Sequence, residues 1–431
     1  MQRLEALDRI RQGVVGRFEP ALDPPHSRRH ATGFLKLNED AVVARLLGEG
    51  LTPNGRGLPP DVRALGGRTE VGNILMVDIR GRAHDAGTIG VAEYRSTGVI
   101  VDPRLREVLN DTVVGVRLEY GGLPDWISNR IYHDDIIMED GGFVGWRAEL
   151  RPGRGTVAEL AEGFSLRLSS GWSVAGEFDR RTFSTPLCVA VESDRRRPIG
   201  DHLVRLDAIH ALLNIAHREP VKSVGGSARL TPGSEWCEFW QTDMMSDDAA
   251  AAASQSFPNF GLEEIGGIET IASWIALVLN HRRAVTPLVR HALVRNQTPE
   301  SRLLSTAAAM EYWVAANRRS ADWARRTDEK LPAALVGKVH SNWREWVGNS
   351  TAWVEQFWAA DNHLKHQPQD DLDPQVVHTL EISGRWLLTA ALLDEASGTN
   401  EPSRHIFGES LPLGNLGTIV RDAVEKGQVP K

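Results

Sequence analysis

The spacing of apolar positions changes once along this chain. Over roughly the first 245 residues, short apolar runs alternate with Gly, Pro, Asp and Asn, the punctuation of strands and turns. Residues 72–79, 113–120 and 185–192 read as strands. Phe164, Leu166 and Leu168 alternate with Ser165 and Arg167, as one half-buried strand does. A single helix interrupts this region over residues 202–217, where Leu203, Leu206, Ile209, Leu212 and Leu213 share a face. Residues 221–230 and 236–242 are placed to pair as a hairpin across Thr231-Pro232-Gly233-Ser234. From about Gly261 the strand signals stop and helical spacing takes over. Residues 268–279 read as a buried helix, and Pro287 bounds or kinks the next. Thr298 is a good cap for a helix that has Pro299 at its first position and runs through Leu303, Ala307, Met310 and Val314. Further helices are expected at 329–347, 350–365 and 374–396.

This pattern implies an α+β chain. A β-rich domain is expected over residues 1–255, an α-helical domain over 261–397 and an extended tail, rich in Gly, Pro and Asn, over 398–431. The Ala-rich stretch 247–254 is either a linker or a helix start. A length of 431 residues suits two domains.

Composition then narrows the function classes. The chain is 41% hydrophobic and 25% charged, as soluble proteins are. No apolar run approaches the ~20 residues that span a bilayer, and the charged N-terminus has no signal-peptide core. Cys188 and Cys237 are too few for a zinc site or a disulfide framework. A cytoplasmic location, no membrane and no cofactor are expected. The net charge of −8 argues against a broad duplex-binding surface but leaves room for a small RNA-cleaving site. The arginine clusters at 195–197, 318–319 and 325–326 read as solvated positions. There is no Walker loop and no Rossmann fingerprint; Gly66-Gly67, Gly72 and Gly121-Gly122 read as turn glycines.

The candidate chemistry lies in Asp361-Asn362-His363-Leu364-Lys365-His366, at the end of a tryptophan-rich helical segment. Trp343, Trp346, Trp353 and Trp358 read as packing residues before a base-stacking platform. His363 and His366 are three apart, and Asn362 and His366 are four apart, so they neighbour one another on one helix face. A histidine in a last helical turn is also stabilised by the macrodipole when protonated. No carboxylate or cysteine set completes a metal site here. A metal-free ribonuclease needs a base for the 2′-OH, an acid for the leaving 5′-oxygen and a donor to the phosphate. His366 and His363 suit the two proton transfers. Asn362 suits orientation and phosphate contact, and Lys365 supplies charge. In the β-rich half, His133, Asp134, Asp135, Glu139 and Asp140 read as an acidic loop beside a strand.

The stretch from Leu303 to Tyr312 resembles the first helix of HEPN domains, and Asn362 to His366 resembles their catalytic motif. The layout of the whole chain resembles HEPN proteins of the ApeA type, in which a β-rich domain precedes a helical HEPN domain. The resemblance implies a metal-independent endoribonuclease of bacterial anti-phage, abortive-infection defence. It also implies a homodimer formed through the HEPN domain, RNA (tRNA among the candidates) as substrate, and a phage or host trigger sensed by the N-terminal domain.

One position departs from the family pattern: Asp361 stands where that motif has arginine. A carboxylate facing a scissile phosphate would repel it. Three readings follow. Arg385 on the next helix, or an arginine from a second copy, supplies the charge; or His363 and Lys365 serve instead; or the domain is a silent binding, sensing and dimerisation module. Glu311 is a candidate orienting partner. A glycan-active β-sandwich using Asp135 and Glu139 ranks last, because two acids in one short segment rarely flank a bond.

Overall fold

The computed structural model describes residues 3–20, 30–38, 41–47, 62–85, 90–101, 111–127, 132–150, 155–171, 173–177, 180–184, 186–245, 257–294, 296–317, 331–366 and 372–426. The chain is α+β, with a β-rich N-terminal region followed by helices. The Ala-rich stretch 247–254 and the arginine pairs at 318–319 and 325–326 lie outside the described residues.

Contacts divide the chain into two compact units. The first holds Met1–Gly121, Ile131–Leu206 and Lys222–Ala253. The second holds Gly122–Arg130, Asp207–Val221 and Ser254–Lys431. The linear boundary expected near residues 255–261 is thereby corrected, because the helical unit recruits two segments from the β-rich half of the sequence. Side chains explain the recruitment. Trp126 is fully buried, and its carbonyl accepts the Leu262 N–H at 2.8 Å. The Trp274 indole donates to the Ala208 carbonyl at 2.9 Å, and Asn259 Nδ2 donates to the Ala216 carbonyl at 2.8 Å.

The first unit opens with helix α1 (Arg3–Gln12) and six strands: β1 (Val14–Pro20), β2 (Ala31–Leu37), β3 (Val42–Leu47), β4 (Leu65–Thr69), β5 (Gly72–Asp85) and β6 (Val91–Val101). They pair antiparallel in the order β6-β3-β2-β1-β4-β5, and β5 pairs back onto β6, which closes a barrel. Closure leaves no free sheet edge within the ring. Phe18 of β1 fills the interior opposite Gly67 of β4. A Cβ at Gly67 would stand 2.6 Å from that ring, so the position demands glycine.

β6 also leads out of the barrel. β5 pairs along its whole length, β3 along residues 91–96, and β16 (Cys237–Gln241) along 98–101. From β16 the sheet continues through β15 (Ser223–Arg229), β7 (Thr112–Tyr120), β14 (Leu187–Pro198), β11 (Phe164–Ser170) and β10 (Thr156–Leu160). The expected hairpin of β15 with β16 is present, and β11 alternates buried and less buried positions as its sequence suggested.

Two hairpins stand apart from this sheet: β8 (Tyr132–Glu139) with β9 (Gly142–Leu150), and β12 (Ser173–Glu177) with β13 (Arg180–Ser184). The expected acidic loop is therefore corrected to a strand. Its turn is Asp140-Gly141, with φ of 50° and 78°, a geometry that matches strand twist and suits an Asp-Gly pair.

The second unit contains α2 (Leu123–Ile127), the later part of α3 (Ile199–His217), and α4 (Gly267–Asn280), α5 (Arg282–Leu293) and α6 (Pro299–Asn317). It continues with α7 (Leu331–Val336), α8 (Asn342–Val347), α9 (Ser350–His366), α10 (Pro374–Ser397), α11 (Glu401–Gly408) and α12 (Leu411–Lys426). α10 is the central helix. Eighteen of its 24 residues are buried, so it is enclosed nearly all round rather than on one face. Asp373 caps it by accepting the Gln375 N–H at 2.8 Å, Pro374 opens it, and Gly398 ends it at φ 70°.

Two expectations for this unit are corrected. The single helix expected at 329–347 is two, α7 and α8; the Ser403 hydroxyl accepts the His340 N–H between them at 2.8 Å. The tail expected to be extended over 398–431 instead forms α11 and α12 over its described residues, which end at 426. Pro402 sits in the first turn of α11, where it costs no hydrogen bond. Gly417 lets α12 approach the Trp346 indole, which a Cβ would meet at 2.7 Å. Trp343, Trp346, Trp353 and Phe407 form one buried aromatic cluster, the packing role expected of these tryptophans.

Candidate functional site

α9 carries the Asp361–His366 motif, and its own sequence explains how it is held. Asn349 caps the helix by accepting the Ala352 N–H at 3.0 Å. Trp353, Val354, Phe357, Ala360 and Asp361 form its buried stripe. The Trp353 indole donates to Ser383 Oγ of α10 at 2.8 Å. Phe357 lies over Gly384 of α10, where a Cβ would come within 2.5 Å of the ring. The last turn is thus anchored one and two turns upstream by close packing.

Asp361 continues the buried stripe and is 0% exposed. Its Oδ2 accepts from Lys365 Nζ at 2.8 Å, and the same Nζ donates to Glu311 Oε1 of α6 at 2.9 Å. Its Oδ1 has no hydrogen-bond partner. Burial raises the Asp361 carboxyl above its ordinary value, against the opposing hydrogen bond and charge of Lys365. Burial also disfavours the Lys365 ammonium, but the hydrogen bonds and charges of Asp361 and Glu311 outweigh it and hold that group above its ordinary range. The charges acting on Asp361 are Lys365, Glu311 and His366.

Asn362 and His363 are half-buried, and His366 is exposed. Successive helical residues turn by about 100°, which puts Asn362 and His366 in one longitudinal row beside the Asp361–Lys365 row, with His363 on the far side of His366. The last turn therefore offers an inward row of paired charges and a more exposed set of one amide and two imidazoles.

Glu311, singled out as an orienting partner, does reach the motif, through Lys365. Arg385 is not brought to it. Its ionic contact is with Glu381 one turn earlier in α10, Nε to Oε1 at 3.5 Å. Glu381 is also 3.3 Å from His291 Nδ1, and His291 Nε2 is 3.0 Å from Ser305 Oγ. This buried set joins α5, α6 and α10. Sequence reasoning missed it, although Glu381 and Arg385 stand at the i, i+4 spacing that could have marked the pair. In the β8–β9 hairpin, Asp135, Glu139 and Asp140 are exposed. Among the described residues, no group of three or more His, Cys, Asp or Glu side chains could hold a metal ion, and no helix is long and apolar enough to cross a membrane.

The family model described as ApeA N-terminal domain 1 matches residues 14–274, well over half of the chain. This chain belongs to the ApeA family. The match covers the barrel, the extended sheet and the chain into α4, and it ends before the motif on α9. No curated protein and no solved structure matches this ApeA chain.

Proposed function

We propose that this ApeA-family protein serves bacterial anti-phage defence of the abortive-infection kind, and that its helical unit is a HEPN-type, metal-independent endoribonuclease. The observation that carries the reading is the fate of Asp361. Its carboxylate is buried and its charge is met by Lys365, so it does not face a phosphate bound at the surface of the last turn. The objection raised by an acid at the arginine position is thereby weakened.

In this mechanism one of His366 and His363 takes the 2′-OH proton. The resulting oxyanion attacks phosphorus, and the other histidine protonates the departing 5′-oxygen. Asn362 donates to a non-bridging phosphate oxygen. Lys365 acts as a positioning residue, held by Asp361 and Glu311. A homodimer through the helical unit would bring two such turns together, and the β-rich unit would sense the phage or host trigger.

The binding-module reading is favoured by one specific fact. The cation of the motif, Lys365, is shared by two carboxylates, which leaves little positive charge for a phosphate. RNA cleavage by the purified full chain on total RNA and tRNA in EDTA separates the two. Cleavage by the wild type, lost in His366→Ala, supports the nuclease. RNA retention without products, equal in both proteins, supports the binding module.

A further inference from the structure

Away from α9, the helical unit encloses a cavity of about 10 Å³, room for one water-sized species. Asn214, Arg218, Leu288, Arg385, Trp386 and Thr389 line it, from α3, the residue that follows it, α5 and α10. The polar groups of this lining are mostly donors. Arg385 Nε, Trp386 Nε1 and Thr389 Oγ1 are buried with no hydrogen-bond partner. Trp386 is 2% exposed and Thr389 is 1% exposed. Asn214 already uses its Oδ1 to accept the Val221 N–H at 2.7 Å, so what remains is its amide donor.

Charge points the same way. Arg218 and Arg302 both act on Arg385, and the carboxylate of Glu381 acts on Arg385 and on Arg218. Burial, with Arg385 and Arg302, pushes His291 down to about 3, so His291 adds neither charge nor a counter-charge near neutrality. Arg385 is thus a largely buried cation with Glu381 as its ion-pair partner and two further guanidiniums acting on it, an arrangement in which an excess of like charge is costly. A water molecule would find here few acceptors for its own two protons and would leave the excess charge in place. A spherical anion accepts from every direction and offsets one charge.

We propose that this cavity is a small-anion site that takes chloride or an anion of similar size, held by Arg385, Trp386 and Thr389 with Arg218 at its mouth. The ion would tie the end of α3 to α5 and α10. The inference is independent of any ribonuclease activity.

The test is thermal unfolding of the full chain as chloride replaces methanesulfonate at constant ionic strength. A saturable rise in Tm with chloride is expected, because a ligand that binds only the folded state stabilises it by mass action. Arg218→Gln removes an exposed cation without opening the core, and it should shift the chloride midpoint about tenfold upward. That loss corresponds to about 1.4 kcal/mol. Thr389→Val should weaken the response further. Crystals soaked in bromide provide a measurement that does not depend on folding of the variants, with an anomalous peak expected between Arg385 and Thr389. A flat response to chloride, an equal response to both anions, a response to phosphate alone, or no bromide peak would each overturn the proposal.

Discussion

Lys365 Nζ lies 2.8 Å from Oδ2 of Asp361, one turn earlier in the same helix, and the acid is fully buried while the base is one-third exposed. The pair links the buried face of α9 to its surface. Glu311 of α6 holds the same ammonium at 2.9 Å, so the helix end is fixed by two carboxylates from two helices. An exposed pair of this kind contributes little to stability. Here the acid has no access to water, and removing the lysine would leave it buried and unpaired.

Lys365→Met is therefore expected to destabilise the protein by about 1–3 kcal/mol. Asp361→Asn together with Lys365→Met should recover much of that loss, because the uncompensated charge is gone. Urea unfolding of both single variants and the double variant gives the coupling directly. Additive losses in the double variant would show that the two side chains do not act as a pair.

If α9 cuts RNA, His366→Ala and His363→Ala should each lower cleavage in EDTA by about 100-fold or more, the usual contribution of a proton-transfer group. The double variant should lose little beyond the worse single one, since both groups serve one reaction. Single-turnover rates on a short RNA measure this. A full wild-type rate in both single variants would remove the last turn of α9 from the chemistry.

Gly384→Ala should cost about 1–3 kcal/mol, the range for overpacking a filled core. The added methyl would lie 2.5 Å from the Phe357 ring and 3.3 Å from the Met310 side chain. Phe357→Leu in the same chain should offset part of the loss by withdrawing the ring. The check is chemical denaturation, and an unchanged midpoint for Gly384→Ala would mean that α9 and α10 do not meet as closely as described.

Asp394 is buried in α10, and its Oδ1 accepts the Ser403 N–H at 2.9 Å. Burial pushes its carboxyl up to about 7 from 3.8, against the hydrogen bonds from Ser403. Its contribution to stability is thus full below the unfolded value of 3.8 and is lost as the pH rises through about 7. Asp394→Asn keeps an acceptor for Ser403 and stays neutral, so it should flatten the fall in Tm between pH 4 and pH 8, about the window of that titration. Parallel Tm curves for the variant and the wild type would refute this assignment.

Much of the local structure was legible in the chain, because periodicity is a property of neighbouring residues. The face shared by Leu203, Leu206, Ile209, Leu212 and Leu213 predicted α3, and all five are buried. Thr298 before Pro299 marked the start of α6. The change in spacing near Gly261 sufficed for the α+β class, and the Asp361–His366 motif could be located, although not its orientation. α11 and α12 were missed because Pro402, Gly414 and Gly417 read as breakers; their helices are held by neighbours such as Trp346 rather than by propensity.

Non-local pairing decided the rest. No local pattern states that β6 takes β5 along one edge and β3 and β16 along the other, which closes the barrel and starts the sheet. Nor does it state that Trp126 belongs with Leu262. The same holds at the motif. The sequence alone placed a carboxylate where a guanidinium was expected. Only the packing of α9 against α6 and α10 turned Asp361 inward, where burial and Lys365 determine what its charge can do.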